Sequence, residues 1–166
     1  MASAGLVFSE GDEGAVIAVL SEDSTELIED ASNEDIDEAC SAHDVDVLAA
    51  DAALRGSRQM SDAEREAQEQ GHNFVPGFMD RERTGRMRQL VRRLKPGVRV
   101  VRFEPRTSME SLAVTDDSDL ESLGVDADGI GSAEGFEAVV GAVTARLVSQ
   151  GSFSDEGIVV PELPGS

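Results

Sequence analysis

The chain has 166 residues, 40% of them apolar and 29% charged, which suffices for one ordinary core, and its 34 acidic against 14 basic residues leave a net charge of −20. The single cysteine, Cys40, excludes an internal disulfide, and with only two histidines no zinc-ligand spacing exists, so a reducing, cytoplasmic setting is expected. No run approaches the ~20 apolar residues of a membrane helix, and the start, MASAGLVFSEGDEG, has neither the basic region nor the long apolar segment of an export signal.

In chain order, GLVF (5–8), AVIAVLS (15–21) and TELIED (25–30) read as three strands of an antiparallel meander, separated by the turn-like SEGDEG and EDS. NEDIDEACSAHD follows as a helix with Asn33 as N-cap, acids in its first turn and an inner stripe of Ile36, Ala39 and Cys40 that extends toward His43. VDVLAADAAL (45–54) is almost continuously apolar, the pattern of a strand covered on both faces, and it carries Asp51 at its end. SDAEREAQEQ (61–70) is a helix with Ser61 and Glu64 in capping-box spacing, stopping at Gly71.

After the irregular HNFVPGFM, a helix runs from about 81 to 95, capped by Asp80 and closed by Pro96-Gly97, with Met87, Leu90, Val91 and Leu94 as its buried stripe. VRVVRF (98–103) is the next strand. Residues 115–133 read as acidic loop with a short helical piece near Leu120, and AEGFEAVVGAVTARLVSQG (133–151) is the clearest helix of all. A turn, a short edge strand and a proline-containing tail close the chain over 155–166. The alternation predicts one α/β domain, residues 1–166, with a mixed sheet; a meander followed by β-α-β crossovers and a long last helix is the order of the RNase H-like fold.

Positive charge is concentrated in residues 80–106, where ten basic residues face three acidic ones, so that the other 139 residues carry −27. Two explanations stay open. Arginines on the helix 81–95, namely Arg81, Arg86, Arg88, Arg92 and Arg93, can form a phosphate-facing ridge, since guanidinium forks match phosphate oxygens bidentately. Alternatively the arginines neutralise neighbouring acidic surfaces through internal ion pairs. The −20 charge does not exclude a nucleic-acid partner in concentrated salt, where the screening length shrinks to about 3 Å near 1 M. With no Trp or Tyr and six Phe, aromatic platforms for bases are not expected.

Four stretches, LAADAAL, GHNFVPGFMDRERTGRMRQLVRRL, VVRFEPRTSMESL and GFEAVVGAVTARLVSQGSFSDEGIVVPE, together resemble the family known as domain of unknown function 429, whose members are regarded as RNase H-like nucleases. The arginine-rich, nearly lysine-free and strongly acidic composition resembles that of proteins from salt-loving archaea. The family resemblance implies a nuclease in which carboxylates at strand ends and on the last helix hold two Mg²⁺ or Mn²⁺ ions about 4 Å apart. It implies Asp51 and Glu137 as metal ligands; the family's Glu aligns with Arg102, and Glu104, two residues on and on the same face of the strand, would complete a shifted catalytic set of Asp51, Glu137 and Glu104. The first strand departs from the superfamily pattern, because Val7 stands where an Asp is expected and cannot ligate a metal; Glu10 or Asp12 would be the stand-in. The alternative is a non-catalytic protein of the same fold that binds nucleic acid or a protein through the arginine-rich helix. His43 and His72 suit structural roles, and Cys40 suits a small buried apolar position.

Overall fold

The computed structural model describes residues 2–8, 14–22, 24–54 and 58–163. A five-stranded mixed sheet has the order β3-β2-β1-β4-β5, built from β1 (Ala2–Phe8), β2 (Ala15–Leu20), β3 (Thr25–Ala31), β4 (Val45–Ala50) and β5 (Arg99–Arg102). The first three strands pair antiparallel as the expected meander, and β1, β4 and β5 run parallel. Strands β1, β2 and β4 carry almost no polar side chains because helices cover both faces of the sheet.

On one face, α1 (Asn33–Ala42) and α3 (Arg81–Arg93) cover Leu6, Phe8, Ile17 and Leu48, meeting them with Ile36, Met87 and Leu90. On the other, α6 (Ala133–Ser149) lies across the sheet with α4 (Pro105–Leu112) and α5 (Asp117–Ser122) beside it, over Val7, Val16, Val47 and Val101. The alternation of side chains along each strand assigns these two sets. Helix α6 is drawn unusually close to β1 by a pair of glycines. A Cβ on Gly5 would lie 2.1 Å from the Ala138 carbonyl oxygen, and one on Gly141 would lie 2.6 Å from Phe103 Cζ and 3.1 Å from Gly5 Cα. This contact fixes α6 against β1 and so places Glu137.

Helix α2 (Asp62–Glu69) starts with the expected capping box: Ser61 Oγ accepts from the Glu64 N–H at 3.1 Å, and Glu64 Oε1 accepts from the Ser61 N–H at 3.0 Å. Helix α3 is capped by Asp80, whose Oδ1 accepts from the Arg83 N–H at 3.2 Å. Three expectations need correction, and one helix lies where the sequence predicts none. Val91, expected in the buried stripe of α3, is exposed. The N-cap of α1 is Ser32, not Asn33, because Ser32 and Asp35 form a reciprocal capping box. Residues 105–112, which carry no strong helical pattern, form α4, entered through Pro105 at its first position and capped by Glu104. The terminal strand β7 (Val159–Pro161) does not join the main sheet; it pairs antiparallel with β6 (Phe153–Asp155) in a separate hairpin packed against α4 and α6. The short helical piece around Leu120 is α5, with Leu120 fully buried. Cys40 is buried in the α1 face, where desolvation, with Asp37 nearby, pushes its thiol up to about 12 and leaves it unreactive.

Candidate functional site

The parallel strands β1, β4 and β5 end on one side of the sheet, and a cavity of about 990 Å³ opens there. In sheets of this kind, ligand sites form beyond the carboxyl ends of the strands. Asp51 enters immediately after β4, Glu104 two residues after β5, and Glu137 from the first turns of α6, so three elements distant in sequence bring their carboxyl groups to the same cavity. Asp80 and Glu134 also line it, as do Arg83, Arg102 and Arg106. The three acids therefore line one cavity.

Their environments differ. Asp51 is nearly buried, and its Oδ1 accepts the Phe8 N–H at 3.1 Å, closing the end of β1. Its own N–H donates to the Leu6 carbonyl at 3.1 Å, which extends the β1–β4 ladder by one step. Burial, the dominant influence, pushes the Asp51 carboxyl up to about 7 against the favourable Phe8 N–H and Arg83, with repulsion from Glu137 adding to the rise. Arg83 reaches Asp51 Oδ2 at 3.7 Å through Nη1 and Asp80 Oδ2 at 3.3 Å through Nε. Glu137 is half-buried; burial raises its carboxyl and the nearby Glu104 and Glu134 raise it further, while Arg106 and Arg83 counteract. Glu104 serves the backbone: its Oε2 accepts the Thr107 N–H at 2.7 Å as the cap of α4.

Arg102 is turned away from these acids. Its Nη1 donates to Glu64 Oε2 at 2.8 Å and its Nη2 to the Val75 carbonyl at 3.0 Å, and the guanidinium lies 5.0 Å over the Phe74 ring. Glu64 also accepts the Gly77 N–H at 2.7 Å. Burial would raise the Glu64 carboxyl, but Arg102 and the N–H groups of Ser61 and Gly77 outweigh it and hold it below the ordinary range. This buried cluster ties α2, the 73–77 connector and β5 into the wall of the cavity. Sequence reasoning found Glu64 only as a cap; its second role depends on a contact 38 residues away.

Among the described residues the donor set does not fit a two-ion centre. Val7, in register beside the Asp51 end of β4 and 3% exposed, packs its apolar side chain into the α6 face where the first acid would have to stand. Asp51 is engaged by the Phe8 N–H and by Arg83. Among the described residues, no three of His, Cys, Asp and Glu come close enough together to hold a metal ion. Glu10 and Asp12, the sequence-based stand-ins, lie outside the described residues.

The arginines of α3 separate into two groups. Arg83 is committed to Asp51 and Asp80, and Arg86 stacks 4.9 Å over the Phe8 ring, so this part of the basic stretch acts inside the fold. Arg81, Arg88, Arg92 and Arg93 are exposed and make no ion pair among the described residues. Arg81 and Arg88 line a second cleft of about 630 Å³ on the outer side of α3, together with Arg58, Phe78 and Gly85. The two clefts share the walls formed by Gly77 and Thr84. His43 pairs with Glu26 on β3, and His72 Nε2 lies 3.6 Å from Glu156. Among the described residues no helix is long and apolar enough to cross a membrane.

No family model and no curated protein matches the chain. Among solved structures it is similar to T. thermophilus RuvC in complex with a Holliday junction substrate, with a TM-score of 0.52 at 13% identity, covering 97% of this chain and 99% of that one. Similarity at that identity speaks to backbone architecture, and with the strand order and helix placement described above it establishes that this chain has the RNase H-like fold.

Proposed function

We propose that the protein binds nucleic acid through the outer face of α3 and does not cut it, as an RNase H-like member of the family it resembles. One observation carries this reading: in a chain of net charge −20, Arg81, Arg88, Arg92 and Arg93 are exposed on one helix without a carboxylate partner among the described residues. Unpaired guanidinium groups grouped on one element are an electrostatic footprint for phosphates. The strand-end cavity is a poor phosphate site by contrast, because five acids line it against three arginines.

A second reading, metal-dependent phosphodiester hydrolysis at Asp51, Glu104 and Glu137 with Mg²⁺ or Mn²⁺, is favoured by the convergence of those acids and by the way Glu104 and Glu134 oppose the ionisation of Glu137. One experiment separates the two. Fluorescence-labelled single-stranded and duplex DNA and RNA are titrated with the protein between about 0.1 and 1 M KCl, with the ~10 to ~3 Å change in screening length as the variable, and the same mixtures are then given Mn²⁺ and resolved for products. Binding that weakens with salt and disappears in Arg88→Glu/Arg92→Glu, with intact oligonucleotide throughout, is the expected outcome. Mn²⁺-dependent cleavage lost in Asp51→Asn would establish the second reading instead, and absence of binding at every salt concentration would refute the first.

A further inference from the structure

The second cleft differs from the strand-end cavity in the sign of its lining. Arg58, Arg81 and Arg88 contribute three guanidinium groups to it, and no carboxylate lines it among the described residues. Arg81 and Arg88 are seven positions apart on α3 and therefore share one side of the helix, with Gly85 between them. A Cβ on Gly85 would meet nothing within 4 Å, so the missing side chain keeps the floor of the cleft open. Phe78 forms an apolar wall, and Thr84 and Gly77 close the side toward the strand-end cavity. At about 630 Å³ the space is of the size that holds a nucleotide, within the ~300–1,000 Å³ of small-molecule sites.

We propose that this cleft binds the terminal phosphate of a nucleic-acid strand, a phosphomonoester, rather than an internal phosphodiester. The inference rests on the nucleic-acid reading above and names the group that the α3 face selects. An internal diester carries one charge and offers two free oxygens, which a single guanidinium fork can satisfy. A terminal monoester carries a charge of about −1.5 to −2 at pH 7 and three strong acceptor oxygens, which match three guanidinium groups entering from two segments of the chain. The same chemistry predicts a pH signature: as the second ionisation of the monoester, near pH ~6, is reversed, its advantage over a hydroxyl end shrinks, whereas diester contacts elsewhere on α3 are unaffected.

The test compares fluorescence anisotropy of one single-stranded oligonucleotide carrying a 5′-phosphate, a 3′-phosphate or hydroxyl at both ends, against the wild-type chain, Arg88→Ala, Gly85→Asp and Arg92→Ala. Gly85→Asp places a carboxylate in the cleft without meeting any neighbour, and Arg92 lies outside the cleft lining. The expected result is that one phosphorylated end binds at least about tenfold tighter than hydroxyl, equivalent to ~1.4 kcal/mol. That gap closes in Arg88→Ala and Gly85→Asp, narrows for the wild type below pH ~6, and persists in Arg92→Ala, which weakens all three oligonucleotides alike. If all three bind the wild type equally, or if the gap survives both cleft variants, the terminal-phosphate proposal is overturned while binding through α3 stands. If no oligonucleotide binds, both fall.

Discussion

Replacing Asp51 by asparagine tests the electrostatics of the strand-end cavity directly. The Asp51 carboxyl stands at about 7 in the folded protein against an ordinary 3.8, with burial as the main cause. Between about pH 4 and pH 7 the native state therefore keeps a proton that the unfolded chain has released, so the native state binds more protons and stability falls as pH rises. The contribution is at its best below about pH 4, is lost progressively with a limiting slope of ~1.4 kcal/mol per pH unit, and is fully lost above about pH 7, a total of about 4 kcal/mol. That is a large part of the ~5–15 kcal/mol that holds an ordinary domain together. An asparagine side chain here would keep an oxygen to accept the Phe8 N–H, would never ionise, and would leave Arg83 its contact with Asp80. Urea denaturation of both proteins in ~1 M KCl, at half-unit steps from about pH 4 to 8, should show Asp51→Asn gaining on the wild type by about 4 kcal/mol across that range. A stability difference that stays constant with pH would refute the argument, because it would mean that Asp51 is an ordinary ionised carboxylate, solvated or fully matched by Arg83 and the Phe8 N–H.

Other measurements probe the wall, the packing and the basic face. Glu64→Gln removes the charge that holds Arg102 while the site remains buried; it should cost about 3 kcal/mol in urea denaturation, with most of the loss recovered when Arg102→Met is added, since the cost of breaking a buried pair is mainly the charge left behind. Gly141→Ala presses against Phe103 and Gly5 and should lower stability by ~1–3 kcal/mol, whereas Gly5→Ala, aimed at the backbone of Ala138 and Gly141, should cost more, and a neutral result for either would contradict the close approach of α6 to β1. For single-stranded oligonucleotides, each of Arg92→Ala and Arg93→Ala should reduce the slope of log K against log salt by about 0.7, the share of one phosphate contact; an unchanged slope would remove that arginine from the interface.

Much of the architecture was legible because it is written in short-range patterns. The meander shows in apolar runs separated by polar turn residues. The doubly covered strand β4 shows in its unbroken apolar composition, and α6 in a long apolar stripe ended at Gly151. Helix α4 was not visible, because Pro105, Arg106 and Thr107 give no apolar stripe, and it forms by joining a cap supplied by Glu104 to a small buried face of Ser108 and Leu112. The destination of β7 was equally hidden: VVP reads the same in a separate hairpin as on a sheet edge, and only its packing against α4 and α6 decides.

For the site, the sequence by itself singled out residues that the fold brings to the strand-end cavity, the acids Asp51, Glu104 and Glu137 and the apolar Val7, and a basic stretch in an acidic chain. It could not determine their states. Arg83 and Arg88 are the same residue type on the same helix, yet one is held by Asp51 and Asp80 while the other faces an open cleft, because ~3.6 residues per turn sends one toward the sheet's end and the other to solvent. Burial at the end of β4 is likewise what raises the proton affinity of Asp51. Residue type sets what a group can do, whereas desolvation and the charges brought within a few ångströms by folding set what it does, and both of those belong to the tertiary structure.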